Sequence, residues 1–541
     1  MYRALHSLLD RHLFALVREL RWSYLPPLMV YLAAGVSGLT GIVGTFFVKE
    51  YLALPAAFLA ATGFWAGIPW ALKMPMGHLV DLLWRWKAWF IALGAALIAC
   101  SLLIMGRLIA APSVMAEVMP ISAWFVLQAI LAPVGYMMQD TVADAMTVEA
   151  VPRVDADGQP LPASELRSMN TTMQMLGRIA IIGGGVGVSL INVAVFADSA
   201  ALDQAGKVAL YARVYECALL IPLLSLLGVA VAAWLRRRDA RRLRASGIAE
   251  ARVRALLDAH PETPPPNALI LGGSLVFVLA TVGLGLSPVP YNQELIFAVS
   301  FGIIAFLMLR MMRELEPAAR RTLLGTAIVL FTYRALPGTG AGSTWWMIDE
   351  LGFDQAFLAR LSLVASTLTL VGLFAFRRTM AERPVTWIVG MLTLAGFLLG
   401  LPTLAMYHGF HQWTAAHTGG VVDARAIALI DTALESPLGQ VAMVPLLAWI
   451  ANSAPARLKA TWFAVMASFT NLALSASQLG TKYLNEVFVV TRGVRDPVTH
   501  TVTSTADYSA LGDLLACALT LGLVLPFAAI LLTRLAGLRS A

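Results

Sequence analysis

Long apolar runs dominate this chain, and several exceed the roughly 20 residues a helix needs to cross a bilayer. Fourteen such helices are predicted, over 25–48, 55–80, 87–110, 119–149, 168–196, 208–235, 267–286, 291–309, 320–347, 355–377, 384–405, 424–452, 457–488 and 508–534. With 59% of its residues hydrophobic and 13% charged, the chain falls outside the composition of soluble globular proteins. The net charge of +7 does not point to nucleic acid, because the arginines gather at the ends of the apolar runs. Cys100, Cys217 and Cys517 fall in apolar segments without paired spacing and read as packing residues. No cleavable signal peptide is evident. Residues 1–24 alternate arginines with leucines at near-helical spacing, as in an amphipathic helix lying on the inner membrane face.

Charge in the connections sets the topology. Arg85, Lys87, Arg153, Arg167 and the run from Arg236 to Arg244 fall on one side, with Arg310, Arg313, Arg377, Arg378, Lys459 and Arg534. Asp198, Asp203, Asp349, Glu350, Asp354 and Asp423 fall on the other. An even helix count with both termini in the cytoplasm follows, in an inner-membrane protein. Residues 236–266 are arginine-rich and end in Pro261-Glu262-Thr263-Pro264-Pro265-Pro266, a linker that either binds anionic lipid or anchors the topology.

An internal repeat sets the architecture. The segment from Thr45 to Ala60 aligns without gaps to that from Thr344 to Ala359, matching the threonine, Leu52 with Leu351, and an Ala-Phe-Leu-Ala run. Helix one thus maps onto helix nine, and helices seven and eight fall outside both halves. The expected fold is an all-α polytopic membrane protein of the major facilitator type. It comprises a six-helix bundle over 25–235, an inserted hairpin over 267–318 and a second six-helix bundle over 319–541.

Ionisable residues inside the runs mark candidate sites, since each costs roughly 2.5–3.5 kcal/mol to insert. Lys73 and Asp81 lie in Pro69-Trp70-Ala71-Leu72-Lys73-Met74-Pro75-Met76-Gly77-His78-Leu79-Val80-Asp81. Asp140 and Asp144 share one face of helix four, and Arg178 stands on helix five. At about 1.5 Å per residue, Asp140 and Arg178 lie about 15 Å deep, and Lys73 and Asp144 some 10–12 Å deep. The expected pairs are therefore Asp140 with Arg178 and Asp144 with Lys73. They either break and reform during transport, with one aspartate carrying a proton, or hold the helices statically. In the second half, Arg334 precedes Pro337-Gly338-Thr339-Gly340-Ala341-Gly342, where the helix should break. Arg334 either binds an anionic substrate group or pairs with Glu435, a second candidate proton carrier. Trp65, Trp345 and Trp346 either stack a flat ring or anchor helix ends. Asn471 and Gln478 either bind substrate or bridge helices. The Gly183-Gly184-Gly185-Val186-Gly187 run reads as helix packing rather than a phosphate loop. No histidine spacing suggests a metal site, and no cofactor is implied.

Gly77, Asp81, Arg85 and Lys87 resemble the loop between helices two and three of major facilitator transporters, with Trp84 in place of its glycine. More narrowly, the sequence resembles the folate–biopterin transporter family. The matches are Pro69, Trp70, Lys73, Gly77 and Asp81; then Asp140, Asp144 and Ala145; then Pro445, Leu446, Pro455, Ala460, Thr461, Phe463, Ala464, Ser468 and Asn471. Lys459 reverses the charge of the glutamate in that family's pattern. Helices two, four and five, with Gly177-Arg178, also look similar to a bacterial muropeptide permease. The resemblance implies a carrier of pteridine- or folate-like anions, with a muropeptide-like solute as the alternative.

No His-Glu-x-x-His, Gly-x-Ser-x-Gly or phosphate-loop motif is present, so an enzyme and a self-contained ATP-driven pump are not expected. A transport-inactive membrane sensor is the remaining rival. The reading is a monomeric proton symporter for a small organic anion, in contact with membrane lipid and alternating access between its two bundles.

Overall fold

The computed structural model describes residues 20–538 apart from 53, 72, 152–161, 252, 254–267, 286, 288, 377–378, 380–382, 440, 442–458 and 496–501. Residues 1–19 of the expected amphipathic segment therefore lie outside the described residues, as do Pro445, Leu446 and Pro455. The side chains of Asp81 and of residues 459–464 lie outside them too.

Helices account for nearly all of it. The first half comprises α1 (Leu25–Gly35), α2 (Gly41–Tyr51), α3 (Ala56–Ala71), α4 (Lys73–Leu82), α5 (Lys87–Ala110) and the short α6 (Pro112–Val118). It continues with α7 (Ile121–Ala150), α8 (Ala163–Val195), α9 (Gln204–Ala218) and α10 (Leu220–Ala245). A hairpin follows, α11 (Ala268–Gly285) and α12 (Asn292–Met311). The second half holds α13 (Pro317–Arg334), α14 (Ala341–Asp349), α15 (Gln355–Ala375), α16 (Val385–Tyr407), α17 (Phe410–His417), α18 (Ala424–Glu435), α19 (Lys459–Val487) and α20 (Leu511–Leu535). Between the last two, β1 (Val494–Arg495) and β2 (Val502–Ser504) pair as an antiparallel ribbon.

Among the described residues, nine helical segments are long and apolar enough to cross a membrane. Their outward faces carry exposed apolar side chains, such as Leu93, Leu227, Val371 and Leu532. Apolar surface on that scale needs lipid against it, and the chain is an integral membrane protein.

Local chemistry explains where helices start and break. Asp203, Asp354 and Asp423, residues that the charge pattern reads as marks of one membrane side, each cap a helix. Their carboxylates accept from the backbone N–H groups of Gly206 (2.8 Å), Phe357 (2.7 Å) and Ala426 (2.8 Å). The expected first helix is two helices joined by a 3₁₀ turn at Val36–Thr40. The expected sixth helix runs on through the arginines to Ala245, because Arg, Ala and Leu are all good helix formers.

The two halves meet along two seams. In one, α3 lies against α19; in the other, α8 lies against α15, where the Ser189 hydroxyl meets those of Ser362 (2.9 Å) and Ser366 (3.3 Å). The hairpin covers the first seam and touches both sides of it. Gln293 donates to the Ala61 carbonyl of α3 at 3.2 Å, and Glu294 pairs with Lys482 of α19 at 3.0 Å. Buried residues of α3, the hairpin, α13 and α19 form one continuous core.

Candidate functional site

Four charged or phenolic groups of the first half converge. Lys73 opens α4, and its Nζ lies 2.6 Å from Asp140 Oδ2 and 2.7 Å from Asp144 Oδ2. One turn of α7 separates the two aspartates, so both carboxylates reach the same ammonium. The Tyr31 hydroxyl donates to the other oxygen of Asp144 at 2.6 Å. Tyr31 comes this close because residue 177 is glycine: a Cβ there would stand 2.9 Å from the ring. The cluster is open on one side, with 40% of the Asp144 side chain exposed.

This differs from the expected two pairs. Lys73 takes both aspartates, and Arg178 takes neither. Depth along a helix fixes height but not azimuth. The Arg178 guanidinium interacts electrostatically with Asp140 and with Tyr31. Among the described residues it makes no hydrogen bond or ion pair. One cation between two carboxylates leaves a net charge of −1, and Arg178 brings the group to zero. Asp81 belongs to α4, but its side chain lies outside the described residues.

In the second half the helix breaks where the sequence places proline among glycines, between Arg334 and Ala341. Gly340 turns the chain with φ 69°, a conformation that favours glycine. The freed backbone groups are met from α19 by residues one turn apart. Ser477 donates to the Leu336 carbonyl (2.6 Å), Thr481 accepts from the Gly338 N–H (2.8 Å), and Asn485 donates to the Thr339 carbonyl (3.3 Å). The Arg334 Nε–H donates to the Thr470 carbonyl at 3.1 Å, and Tyr333 is among its electrostatic neighbours. Glu435 ends α18, exposed. One turn earlier, Asp431 holds a buried carboxylate oxygen that has no hydrogen-bond partner among the described residues.

Three other candidates serve the seam covered by the hairpin. Asn471 donates to the Trp70 carbonyl at 3.2 Å, joining α19 to α3. Gln478 packs over Gly63, whose hydrogen faces the amide so closely that a Cβ would meet it at 2.6 Å. Trp65 turns outward, with its ring against Gly285 of the hairpin. These residues join helices; Trp65 faces the hairpin because small residues there admit its indole.

At the end of the molecule away from the arginine-rich connections, a lock joins the halves. Lys49 at the end of α2 forms an ion pair with Asp349 at the end of α14, and the Tyr508 hydroxyl donates to the same carboxylate. Arg492, 4% exposed, donates to the carbonyls of Lys49 and Leu54 and lies 4.5 Å over the Trp345 ring. Burial lowers the pKa of Arg492 to about 10, which leaves it cationic near neutrality. Burial and the neighbouring Asp349 carboxylate push the Tyr508 phenol above its ordinary value. Gln355 adds a bond across the halves to the Tyr211 hydroxyl at 2.7 Å. Sequence reasoning missed Arg492 and Tyr508, which lie in a connection without a motif. Just inside the lock is a cavity of about 400 Å³, walled by residues of α2, α3, α7 and α14.

Comparison with known proteins bears on this arrangement. The BT1 family model matches residues 34–537. A protein of Synechocystis sp. described as a folate-biopterin transporter is 30% identical over 158 residues, 29% of this chain. The match spans 31% of that relative's length. Among solved structures, a POT family transporter in complex with 5-aminolevulinic acid superposes with a TM-score of 0.58 at 11% identity, covering 95% of each chain. A mutant peptide transporter POT in complex with sulfate gives 0.51 at 16% identity, again over 95% of each. The shared architecture is the major facilitator fold.

Proposed function

The chain belongs to the BT1 family of membrane transporters, and we propose that it moves a small organic anion, pteridine- or folate-like, by proton-coupled alternating access. One observation carries the reading: a single ammonium shared by two intramembrane carboxylates, beside an arginine that none of them holds. An anionic solute group attracts the Arg178 guanidinium, which suits bidentate capture of a carboxylate. That withdraws the compensating charge and leaves Lys73, Asp140 and Asp144 with a net −1. A proton on one aspartate restores neutrality, so solute and proton favour each other's binding. Half-buried Asp144, its side chain 40% exposed against 20% for Asp140, is the more accessible acceptor, and its protonation loosens the hold on Tyr31 and Lys73.

The lock at Lys49, Asp349, Tyr508 and Arg492 fits a state closed on the outer side, with the arginine-rich connections and both termini in the cytoplasm of an inner-membrane protein. Opening that end breaks the Lys49–Asp349 ion pair and withdraws Arg492 from the carbonyls of Lys49 and Leu54. The carrier works as a monomer, since each element of this cycle lies within one chain. The name of the Synechocystis relative supports the pteridine- or folate-like solute.

Uptake into vesicles under an imposed pH gradient tests the coupling. Asp140→Asn and Asp144→Asn should each abolish gradient-driven folate uptake while sparing counterflow exchange. Undiminished driven uptake in both variants removes these aspartates from the mechanism.

A further inference from the structure

The last helix of the first half does not stop where its apolar run stops. α10 continues unbroken through the arginines to Ala245, so apolar and basic side chains share its faces. One face can be followed along the whole helix. Leu220, Leu223 and Leu227 are exposed on it, and Trp234, also exposed, follows two turns after Leu227. Arg237, Arg238 and Arg241 stand three, four and seven residues beyond Trp234, which keeps them on that face, and all three are exposed. The opposite face is turned inward. Ser225, Gly228 and Leu235 are buried on it, and a Cβ on Gly228 would stand 3.0 Å from the Pro26 carbonyl of α1.

The arginines differ in what already holds them. Arg244 forms a two-bonded ion pair with Glu250, at 2.7 and 2.8 Å. Arg238 lies 5.4 Å over the Trp234 ring and reaches Asp239 at 3.3 Å. Arg237 and Arg241 make no ion pair or side-chain hydrogen bond among the described residues. Tryptophan settles at the level of the lipid headgroups. At about 1.5 Å per residue, Arg237 and Arg238 stand roughly 5 Å further out and Arg241 roughly 10 Å. The headgroup layer is about 5–8 Å thick on each side. The first two arginines thus lie within it and the third at its outer edge.

We infer that this face of α10 is a binding site for one anionic phospholipid. An acyl chain lies along Leu223 and Leu227, the glycerol beside Trp234, and the phosphate among Arg237, Arg238 and Arg241. The guanidinium fork matches phosphate oxygens in pairs, which an ammonium does not. Charge alone would suit any polyanion. The leucines directly below it suit a ligand that carries hydrocarbon, which selects a lipid over a soluble phosphate or a nucleic acid. A zwitterionic lipid offers the same chains but brings its own cation up to the arginines. The lipid braces the outer wall of the first bundle, since α10 packs on both α1 and α5. The arginine run then has a task besides setting the topology, and that task does not depend on which solute the carrier moves.

Native mass spectrometry of the full chain in detergent, titrated with dioleoylphosphatidylglycerol, reads the site as the first lipid adduct. That lipid should bind at least tenfold more tightly than dioleoylphosphatidylcholine. Losing one headgroup arginine should weaken binding roughly fivefold, so Arg237→Gln should lose that much and the double variant with Arg241→Gln roughly 25-fold. Arg244→Gln removes the same charge from the same helix but away from this face, and should change binding less than twofold. Glycerol 1-phosphate, the headgroup without chains, should not displace the lipid. Size exclusion verifies that each variant is folded. Equal affinity for the two lipids overturns the site and leaves the arginines as a topology anchor. An equal loss in Arg237→Gln and Arg244→Gln overturns it in favour of diffuse charge, and displacement by glycerol 1-phosphate in favour of a soluble anion.

Discussion

Lys49 and Asp349 stand 300 positions apart in the chain and form an ion pair across the two halves. They occupy nearly corresponding places in the internal repeat, at the ends of its first helices, and so they meet close to the axis that would relate the halves. The Lys49 side chain is 6% exposed and that of Asp349 25%. Breaking a fully buried pair from one side costs about 3–5 kcal/mol, and partial exposure of the aspartate brings the expected figure to about 2 kcal/mol. Asp349→Asn should therefore shift the population towards an open lock by roughly 30-fold. Spin labels at Leu202 and Val421 would report the change as a longer distance. Tyr508→Phe should shift it less, and an unchanged distance distribution for Asp349→Asn would remove the lock from the conformational cycle.

Lys73→Met leaves two carboxylates facing each other without their cation. Thermal unfolding in detergent should show a loss of about 3 kcal/mol. Adding Asp140→Asn should recover part of that loss, because one uncompensated charge is then removed. A double variant no more stable than Lys73→Met would mean the ammonium matters for packing rather than charge.

Gly177 and Tyr31 should behave as one unit. Gly177→Ala pushes the ring away, since its Cβ would come within 2.9 Å. Tyr31→Phe removes the hydroxyl that donates to Asp144. A hydrogen bond to a charged group is worth about 1.5–3 kcal/mol, so each variant should lower proton-driven uptake by roughly tenfold or more. The double variant should be no worse than the stronger single one; additive losses would show that Gly177 acts elsewhere.

The glycine run of α8 separates packing from any other role. A Cβ on Gly184 would meet the backbone of Gly35 at 2.9 Å, whereas one on Gly183 would meet nothing within 4 Å. Gly184→Ala should destabilise by about 1–3 kcal/mol, and Gly183→Ala should be neutral or slightly stabilising. Melting curves of the two variants distinguish them directly.

Much of the fold could be read from residue order alone, because lipid forces apolar runs into helices and the repeat ties α2 to α14. The break after Arg334 was equally plain, as Pro337 cannot donate and the glycines around it do not resist. Its remedy was not: Ser477, Thr481 and Asn485 look like scattered polar residues until α19 lines them up on one face. The meeting of Lys73 with both aspartates was half visible, since spacing puts Asp140 and Asp144 on one side but cannot say which cation turns towards them. The contact of Trp65 with Gly285 was not legible, because nothing in its own helix reveals that the hairpin lies beside it. Arg492 was invisible for a related reason. Its partners are backbone carbonyls more than 430 residues away, and a carbonyl leaves no trace in residue identity.

The hairpin that bonds to Ala61 on one side and Lys482 on the other has a mechanical consequence. Both attachments arise from neighbouring residues, Gln293 and Glu294, so they act at a single level of the membrane. A strap fixed to two boards at one height keeps them from parting there, yet lets them tip. In the proposed cycle the hairpin would therefore act as a fulcrum, with any wedge-shaped gap between α3 and α19 widening above or below its level rather than at it.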